Sequence, residues 1–314
     1  MSAMRLFDCL VAIALSLGIH SQAQPSGNVS RQIALTFDDL PGVPAKSSVD
    51  DLSDMNRRLL GVLRISGAPA IGSVNEKGVD VDREREARTA LLRAWLDAGM
   101  TLGNHGYAHH GLNDTPLADY EVDLLRGGQI TRTLLESRGR PLVWYRHPFN
   151  QTGPTAEIRA AFEQFARAHG YRIAPFTIEA TDYAFASCYE RALADKNSKR
   201  ADAVMAAYLE HLDAKVAWGE AFSGETFGHE IPQILLSHVN RLNADAMPEM
   251  LRRLRARGCR FITLGQAVAD AAYQTPDDYV GKNGPSWLHR WRVSLRLPPR
   301  LVGEPDPPDW VLSK

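Results

Sequence analysis

The chain has 314 residues, of which 44% are hydrophobic and 23% are charged, and its formal net charge at pH 7 is -1. These values are ordinary for a globular protein with one large α/β domain or two small domains. Because the net charge is near zero and no Lys/Arg run is interleaved with aromatic residues, the sequence argues against nucleic acid as the substrate.

Residues 1–23 have the pattern of a secretory signal peptide. A single basic residue, Arg5, precedes an apolar run from Cys9 to Ile19, and the site Ser21-Gln22-Ala23 follows, with a small residue at each end. This pattern predicts cleavage after Ala23 and a secreted or periplasmic protein with no stable membrane insertion afterwards. The alternative is an uncleaved N-terminal anchor, although the apolar run is short for a helix that spans a bilayer.

Two cysteines remain after the predicted cleavage, Cys188 and Cys259. In an oxidising compartment these two could form a disulfide, but one pair gives no spacing pattern to interpret. Two buried free thiols are the alternative.

After the leader, short apolar strands alternate with amphipathic helices. The strands are predicted at QIALTF, PAIGSV, MTLGNH, LVWYRHPF, RIAPFTI, QILLSHV and CRFITL. Helical spacing predicts six helices between them, the third covering the whole run LADYEVDLLRGGQITRTLLESRG. Six or seven strand-helix units predict a parallel sheet closed as a (β/α) barrel. From about Tyr273 the chain is rich in Pro and Trp, which indicates an extension packed on or trailing from the domain.

Polar residues that look out of place in apolar strands all fall at or just after the predicted strand ends. They are Asp38, Asp39, His105, Arg146, His147, Asp182 and His238. In a barrel of parallel strands these positions share one rim, where active sites are built. The sequence therefore predicts a functional site at this rim.

Two histidines and an aspartate form a candidate metal site. His105 and His109 are four residues apart, a spacing that would place both imidazoles on one face of a helical turn, and His110 competes as a ligand. Together with an aspartate from the first strand, they give two nitrogens and a carboxylate oxygen, which leaves a position open on a tetrahedral zinc. The alternative is a solvated loop with two acids and solvent-facing histidines.

Five motifs give the chain a family resemblance. The runs TFDD, HGYAH, RHPF, TDY and ILLSH occur in the order and at roughly the intervals of the polysaccharide deacetylase family, and the match spans Gln32 to Val268. This family is the NodB-homology domain of chitin, peptidoglycan and xylan deacetylases, also called carbohydrate esterase family 4. The resemblance implies a distorted (β/α) barrel of about seven strands, a divalent metal and hydrolysis of an acetamide or acetate ester. It places the catalytic domain at 24–272 and the extension at 273–314.

The resemblance also implies the metal ligands and the general base. It makes Asp39, His105 and His109 the ligands of a divalent ion, usually zinc, although cobalt or another divalent ion suits the same donors. It makes Asp38 the general base, with Arg146 paired to it. Adjacent carboxylates cannot share one coordination position, and an attacking water needs an unligated base, so physical chemistry agrees with this division.

The remaining site residues follow from the later motifs. The resemblance makes His238 the general acid and Asp182 the group that orients this imidazole and raises its pKa. It points the backbone N–H of Phe149 at the developing oxyanion. It places Tyr183 and Leu236 around the acetyl methyl group.

The chain departs from the family pattern at several positions. Gly106 replaces the usual Ser or Thr, His110 stands where Pro is common, and Phe149 replaces a frequent Tyr. Glu179 and Tyr183 replace the Asp and Trp of the fourth motif, and an atypical insertion runs from about 184 to 227. None of these changes removes a predicted catalytic group, so we expect an active enzyme.

The sequence therefore predicts a metal-dependent hydrolase that removes acetyl groups from an N- or O-acetylated glycan. One alternative keeps the fold and the metal but changes the substrate to another non-peptide C–N bond, such as a formamide or a lipid-linked sugar amide. The other alternative is a glycan-binding module without catalysis.

Overall fold

The computed structural model describes residues 31–44, 46–299 and 303–313. The predicted signal peptide and its cleavage site lie outside the described residues. Across the described part of the chain, no helix combines the length and the apolar character needed to cross a membrane.

A curled parallel sheet forms the centre of the fold. Its described strands are β1 Gln32–Leu40, β2 Ala70–Val74, β3 Thr101–Asn104, β4 Trp144–Tyr145, β5 Arg172–Ile173, β6 Ile178–Glu179, β7 Gln233–His238 and β8 Arg260–Ile262. The path across the sheet runs β5-β4-β3-β2-β1-β7-β6, and β8 also pairs with β1. This arrangement confirms the predicted distorted (β/α) barrel of about seven strands.

One short segment joins the two edges of the sheet. Strands β5 and β6 lie at opposite ends of the strand path, yet only residues 174–177 separate them along the chain. Ala174 N donates to Tyr145 O at 2.7 Å, and Thr177 N donates to Ile234 O at 2.9 Å. Five Cα steps cover about 17 Å at full extension, so the edges must lie close together. The run RIAPFTI is therefore two short strands and a bridge between them, where one strand was predicted.

Helices accompany the strands on the outside of the barrel. Val49–Ser66 (α1) begins at Ser48, whose hydroxyl accepts from Asp51 N, and ends at Gly67 in the left-handed conformation with φ 63°. The other helices in the described residues are α2 Arg85–Asp97, α3 Leu117–Arg126, α4 Gln129–Glu136, α5 Ala156–Ala168, α6 Asp182–Ala194, α7 Ser198–Phe227, α8 Arg241–Ala256, α9 Leu264–Ala267, α10 Trp287–Ser294 and α11 Asp309–Leu312.

Strand β1 lies at the centre of the core. It pairs with β2 on one side and with β7 and β8 on the other. Leu35 and Phe37 are fully buried, and the Phe37 ring packs edge-on against Trp95 of α2 at 5.7 Å. A strand covered on both faces is a continuous apolar run, which explains IALTF. Because β1 continues through Asp38 and Asp39, it delivers two carboxylates to the C-terminal edge of the sheet.

The third predicted helix is wrong as a single element, because Gly127 and Gly128 divide it into α3 and α4. A Cβ on Gly127 would lie 2.3 Å from the carbonyl carbon of Gly106 and 2.4 Å from Tyr107 N. A Cβ on Gly128 would lie 2.3 Å from the Tyr171 hydroxyl. The glycines therefore allow α3 and α4 to approach the loop that carries the histidines. Helical periodicity cannot predict such a contact between distant segments.

The C-terminal extension packs on the barrel over its described part. Trp287 N donates to Phe176 O at 2.9 Å. Trp287 and Trp291 of α10 are buried in the same apolar cluster as Ile234 and Leu236 of β7. The extension therefore covers apolar surface close to the strand that ends in His238.

The two cysteines of the described residues are free thiols. Cys188 and Cys259 are both buried, and neither is in a disulfide. Burial, together with the nearby charge of Glu220, raises the pKa of Cys259 to about 11, so this thiol is protonated at neutral pH.

We predict that Gly127→Ala destabilises the protein by about 1–3 kcal/mol, because the added methyl group meets backbone atoms that cannot rotate away. Gly224→Ala in α7 is the matched control, since a Cβ there has no atom within 4 Å and alanine favours a helix. Chemical denaturation monitored by circular dichroism measures both changes. Equal midpoints for Gly127→Ala and the wild type would contradict this account of the break between α3 and α4.

Candidate active site

A cavity of about 520 Å³ opens at the C-terminal edge of the sheet. It brings together eight of the ten residues predicted for the site, which are Asp38, Asp39, His105, His109, Phe149, Tyr183, Leu236 and His238. Arg146 and Asp182 lie directly behind them, in contact with Asp38 and His238 respectively. The strand ends therefore converge on a single place, as the parallel topology requires.

Three side chains in the cavity could hold one metal ion. Donor atoms of Asp39, His105 and His109 all lie within 4.8 Å of one another. The Nε2 atoms of His105 and His109 are 3.6 Å and 3.4 Å from Asp39 Oδ1. An ion bonded at about 2 Å to Asp39 Oδ1 and to either imidazole nitrogen fits the separations of 3.4 Å and 3.6 Å, and two imidazoles with one carboxylate match the donors that zinc takes in catalytic sites.

Hydrogen bonding and burial prepare both imidazoles as ligands. His105 Nδ1 lies 2.8 Å from the carbonyl oxygen of Arg146, which can only accept, so Nδ1 carries the proton and Nε2 keeps its lone pair toward Asp39. Burial, which disfavours a charged imidazole, lowers the pKa of His109 to about 4. His109 is therefore neutral and able to coordinate a cation above that pH.

The histidines meet in a loop, so the helical turn predicted from their spacing is wrong. Residues 105–110 are irregular, with Gly106 at φ 74° and His109 at φ 58°. His110, the predicted competitor, instead faces Asp123 at 3.7 Å. Left-handed backbone conformations, and not a shared helical face, bring His105 and His109 together.

Asp123 of α3 supports the loop that carries His105 and His109. Its carboxylate accepts from Tyr107 N at 2.8 Å and from Ala108 N at 3.0 Å. A Cβ on Gly106 would lie only 2.5 Å from Asp123 Oδ2. Asp123 therefore occupies the space that a Ser or Thr at position 106 would need, and it supplies acceptors where the family's hydroxyl is missing.

Asp38 is a buried carboxylate with a buried cation beside it. Arg146 Nη1 lies 3.7 Å from Asp38 Oδ2, and Arg146 Nη2 donates to Thr36 Oγ1 at 3.1 Å. Burial opposes ionisation of Asp38, but the positive charges of Arg146 and His238 help to outweigh it, and the pKa of Asp38 lies below the ordinary value. Asp38 Oδ1 has no hydrogen-bond partner among the described residues. The side chain is therefore ionised, with one oxygen available to accept a proton.

His238, at the end of β7, forms a tight pair with Asp182. The Nδ1 atom of His238 lies 2.7 Å from Asp182 Oδ1, and the other carboxylate oxygen accepts from His238 N at 2.8 Å and from the amide groups of Asn240 and Asn243. Burial opposes protonation of His238, but the charge and hydrogen bond of Asp182 prevail and raise its pKa to about 10. At neutral pH this imidazole is a protonated donor.

The predicted substrate contacts form the mouth and the wall of the cavity. Leu236 is buried on β7, whereas Phe149 and Tyr183 are 58% and 61% exposed. The Phe149 ring lies 4.4 Å from the ring of His109. Phe149 also has a left-handed backbone with φ 55°, inside a turn at residues 148–151 that we call the Phe149 turn.

Five residues line the cavity that the sequence analysis did not predict as site residues, namely His147, Asn150, Phe176, Glu179 and Gly284. His147 belongs to the RHPF motif and Glu179 to the fourth motif, so their proximity in sequence to predicted site residues could have indicated that they line the cavity. Burial and the charge of Asp182 raise the pKa of Glu179 to about 7. Gly284 comes from the C-terminal extension, and no local pattern connects it with the rim.

Fold and site together define a (β/α) barrel with a candidate metal centre at the C-terminal edge of its sheet. The profile of the family described as polysaccharide deacetylase matches residues 27–174, which contain the first three of the five motifs, and this match confirms the predicted resemblance. A comparison with curated proteins found no match.

Comparison with solved structures confirms the NodB-type barrel. BA3943 of Bacillus anthracis, described as a CE4 family pseudoenzyme, is 14% identical with a TM-score of 0.51, over 82% of this chain and 69% of that chain. A BA3943 mutant described as having restored enzymatic activity is 16% identical with a TM-score of 0.51, over 76% of this chain and 68% of that chain. At such identities the likeness concerns the fold alone.

We predict that Asp123→Asn weakens zinc binding about 10- to 100-fold, because an amide NH₂ would face backbone N–H groups that now donate to a carboxylate. Competition with a zinc-chelating dye measures the affinity. Asp119→Asn, an exposed change on the same helix, is the matched control and should bind zinc as the wild type does. An unchanged zinc affinity in Asp123→Asn would show that the loop does not need the hydrogen bonds to Asp123 in order to bind zinc.

Proposed function

We propose that this protein is a metal-dependent deacetylase that removes acetyl groups from an N- or O-acetylated glycan. The observation that carries the proposal is the convergence of three kinds of group on one cavity. Asp39, His105 and His109 offer a metal site, Asp38 offers an ionised base, and His238 offers a protonated acid. The family match supports deacetylase chemistry, and these groups supply the parts that such a hydrolysis needs.

The proposed ligands of the ion are Asp39, His105 and His109, and zinc or cobalt suits this donor set. A divalent ion bound there would polarise the acetyl carbonyl and the attacking water. All proton transfers fall to side chains of the chain itself. The division between the two adjacent aspartates is supported by their partners, since Asp39 faces two imidazoles and Asp38 faces a guanidinium.

Asp38 begins the proposed reaction as general base. Its free Oδ1 takes a proton from water as the water oxygen bonds to the acetyl carbon, and the Arg146 charge keeps Asp38 ionised until that moment. The backbone N–H of Phe149 donates to the oxygen that becomes negative. Leu236 and Tyr183 enclose the methyl group and exclude bulk water from it.

His238 completes the reaction as general acid. Its Nε2–H protonates the leaving amine nitrogen, or the leaving alcohol oxygen, as the bond to the acetyl carbon breaks and acetate forms. The hydrogen bond from Nδ1 to Asp182 fixes the ring and directs Nε2 toward the cavity. The two groups are thus pushed to opposite charge states, which suits a base and an acid that act in sequence.

We further propose that the enzyme is secreted or periplasmic after cleavage at Ala23, with a catalytic domain at 24–272 and an extension at 273–314. The pattern of residues 1–23 supports export.

A glycan-binding module is the second candidate function, since the fold resembles a protein described as a pseudoenzyme. The two candidates differ in one measurable property, which is acetate release by the metal-loaded protein.

The first test is acetate release from chitooligosaccharides, peptidoglycan and acetylated xylan, with formate release from a formamide substrate measured in parallel. Removal of metal by a chelator should abolish the activity, and zinc or cobalt should restore it. Asp38→Asn should lower kcat about 10²- to 10⁴-fold because it removes the base, while zinc content stays constant. Asp50→Asn, an exposed change on α1, should retain full activity. Glycan binding without acetate release would favour the binding module.

We predict that Asp182→Asn moves the alkaline limb of the pH-rate profile to lower pH by about 1–3 units. In the wild type His238 stays protonated up to about pH 10, so activity should persist to that pH. Without the Asp182 charge, burial still lowers the pKa of His238 and nothing comparable raises it, so the acid is lost earlier. Profiles of kcat against pH measure the shift, and Asp195→Asn at the far end of α6 is the control. An unmoved limb would exclude His238 as the acid.

A further inference from the structure

The C-terminal extension reaches into the candidate active site through one buried arginine. Arg290 of α10 is completely buried and donates to four oxygens. Its Nη2 donates to Asn150 O in the Phe149 turn, and its Nη1 donates to Thr152 Oγ1 at 2.7 Å. The remaining bonds go to Asp277 Oδ2 and Pro285 O, both at 2.9 Å and both within the extension. One guanidinium therefore fastens the extension to the chain that follows Pro148.

A glycine of the extension touches the same turn from another direction. A Cβ on Gly284 would lie 2.3 Å from Phe149 O, 2.5 Å from Asn150 Cβ and 2.6 Å from Asn150 O. These are mostly backbone atoms, which cannot rotate out of the way. Gly284 also lines the cavity itself. The fit between extension and turn is thus so close that a side chain at position 284 would have to displace the turn.

The Phe149 turn needs support of this kind. Phe149 and Asn150 are consecutive non-glycine residues with φ 55° and 53°, a conformation that persists only where the surroundings enforce it. Asn150 N donates to His147 O and Gln151 N donates to Pro148 O, whereas no acceptor for Phe149 N is present among the described residues. The turn therefore leaves one N–H free beside the candidate metal ligands.

We propose that Arg290 and Gly284 are positioning residues that hold the Phe149 turn so that the N–H of Phe149 meets the developing oxyanion. This inference rests on the proposed function. An oxyanion donor works only when its geometry is set before the reaction, so a support that fixes the turn acts on the transition state. The extension is then part of the catalytic apparatus, although none of its side chains needs to contact the reacting atoms.

The guanidinium suits this task better than another cation would. Its planar fork reaches Asn150 O, Thr152 Oγ1 and Asp277 Oδ2 at once, and the Asp277 carboxylate compensates its buried charge. Lysine would keep the positive charge but lose the planar arrangement of donors that reaches several acceptors at once. Arg290→Lys therefore separates the geometric role from the electrostatic one.

The test measures kcat and KM for acetate release from chitotetraose by wild type, Arg290→Lys and Gly284→Ala. We expect kcat to fall about 10- to 100-fold in both variants, because the oxyanion donor is displaced, and KM to stay within about threefold. Backbone hydrogen exchange of the segment 147–152 should become faster in both. Gly284→Ala serves where Arg290→Lys does not fold.

Two controls separate positioning from general stability. Arg257 makes a two-oxygen pair with Glu220 at the opposite edge of the barrel, where Arg31 precedes β1, so Arg257→Lys removes a comparable support far from the cavity. Gly61→Ala adds a methyl group to open space on α1. Both controls should keep the wild-type kcat and the wild-type exchange at 147–152.

Unchanged kcat in Arg290→Lys and Gly284→Ala, or an equal fall of kcat in Arg257→Lys, would overturn the inference. If the wild type releases no acetate from any substrate, the proposed function fails, and hydrogen exchange then decides the inference alone. Unchanged exchange at 147–152 in both extension variants would show that the extension does not hold the turn.

Discussion

The end of β1 sets the conditions that the rest of the site must satisfy, because it brings two adjacent carboxylates into a buried sheet edge. A buried carboxylate is costly unless a positive charge or hydrogen-bond donors compensate it. The two aspartates are compensated differently. Asp38 lies beside the guanidinium of Arg146, while Asp39 lies 3.4–3.6 Å from two imidazole nitrogens. A cation held by Asp39 and the imidazoles would complete this compensation, so the architecture of the rim and the proposed chemistry follow from one electrostatic requirement.

The need to compensate buried charge also applies to the proposed acid, His238 on β7. His238 stands in register with Asp38 across the pairing of β1 and β7, so the proposed base and acid are neighbours fixed by backbone hydrogen bonds. Their charge states diverge because each has its own buried partner. Arg146 holds Asp38 ionised, and Asp182 holds His238 protonated. The pairing of β1 with β7 sets the distance between Asp38 and His238, and the buried partner of each residue sets its protonation state. Neither requires a conformational change.

Local periodicity was sufficient to predict the strand-helix alternation and the rim of polar residues, because both depend on neighbours in sequence. It failed where distant segments touch. Gly127 lies at the end of α3 in close contact with the backbone at Gly106, and Gly284 lines the cavity because the segment before α10 packs against the Phe149 turn. The spacing of His105 and His109 predicted a shared helical face, but the two residues lie in a loop whose left-handed φ values cannot be predicted from the spacing of histidines.

The departures from the family pattern bear on whether the site is functional or a remnant. A glycine at 106 removes a hydroxyl, yet Asp123 fills the same space and accepts two loop N–H groups. Gly127 in turn permits the close approach that places Asp123 there. Together these three residues offer a consistent alternative way to shape the loop that carries the proposed metal ligands. A site that had lost its function would not need to keep this mutual fit, because each of the three residues helps to shape the loop only while the other two are present. The coherence of the substitutions therefore supports an active enzyme over a remnant with an intact fold.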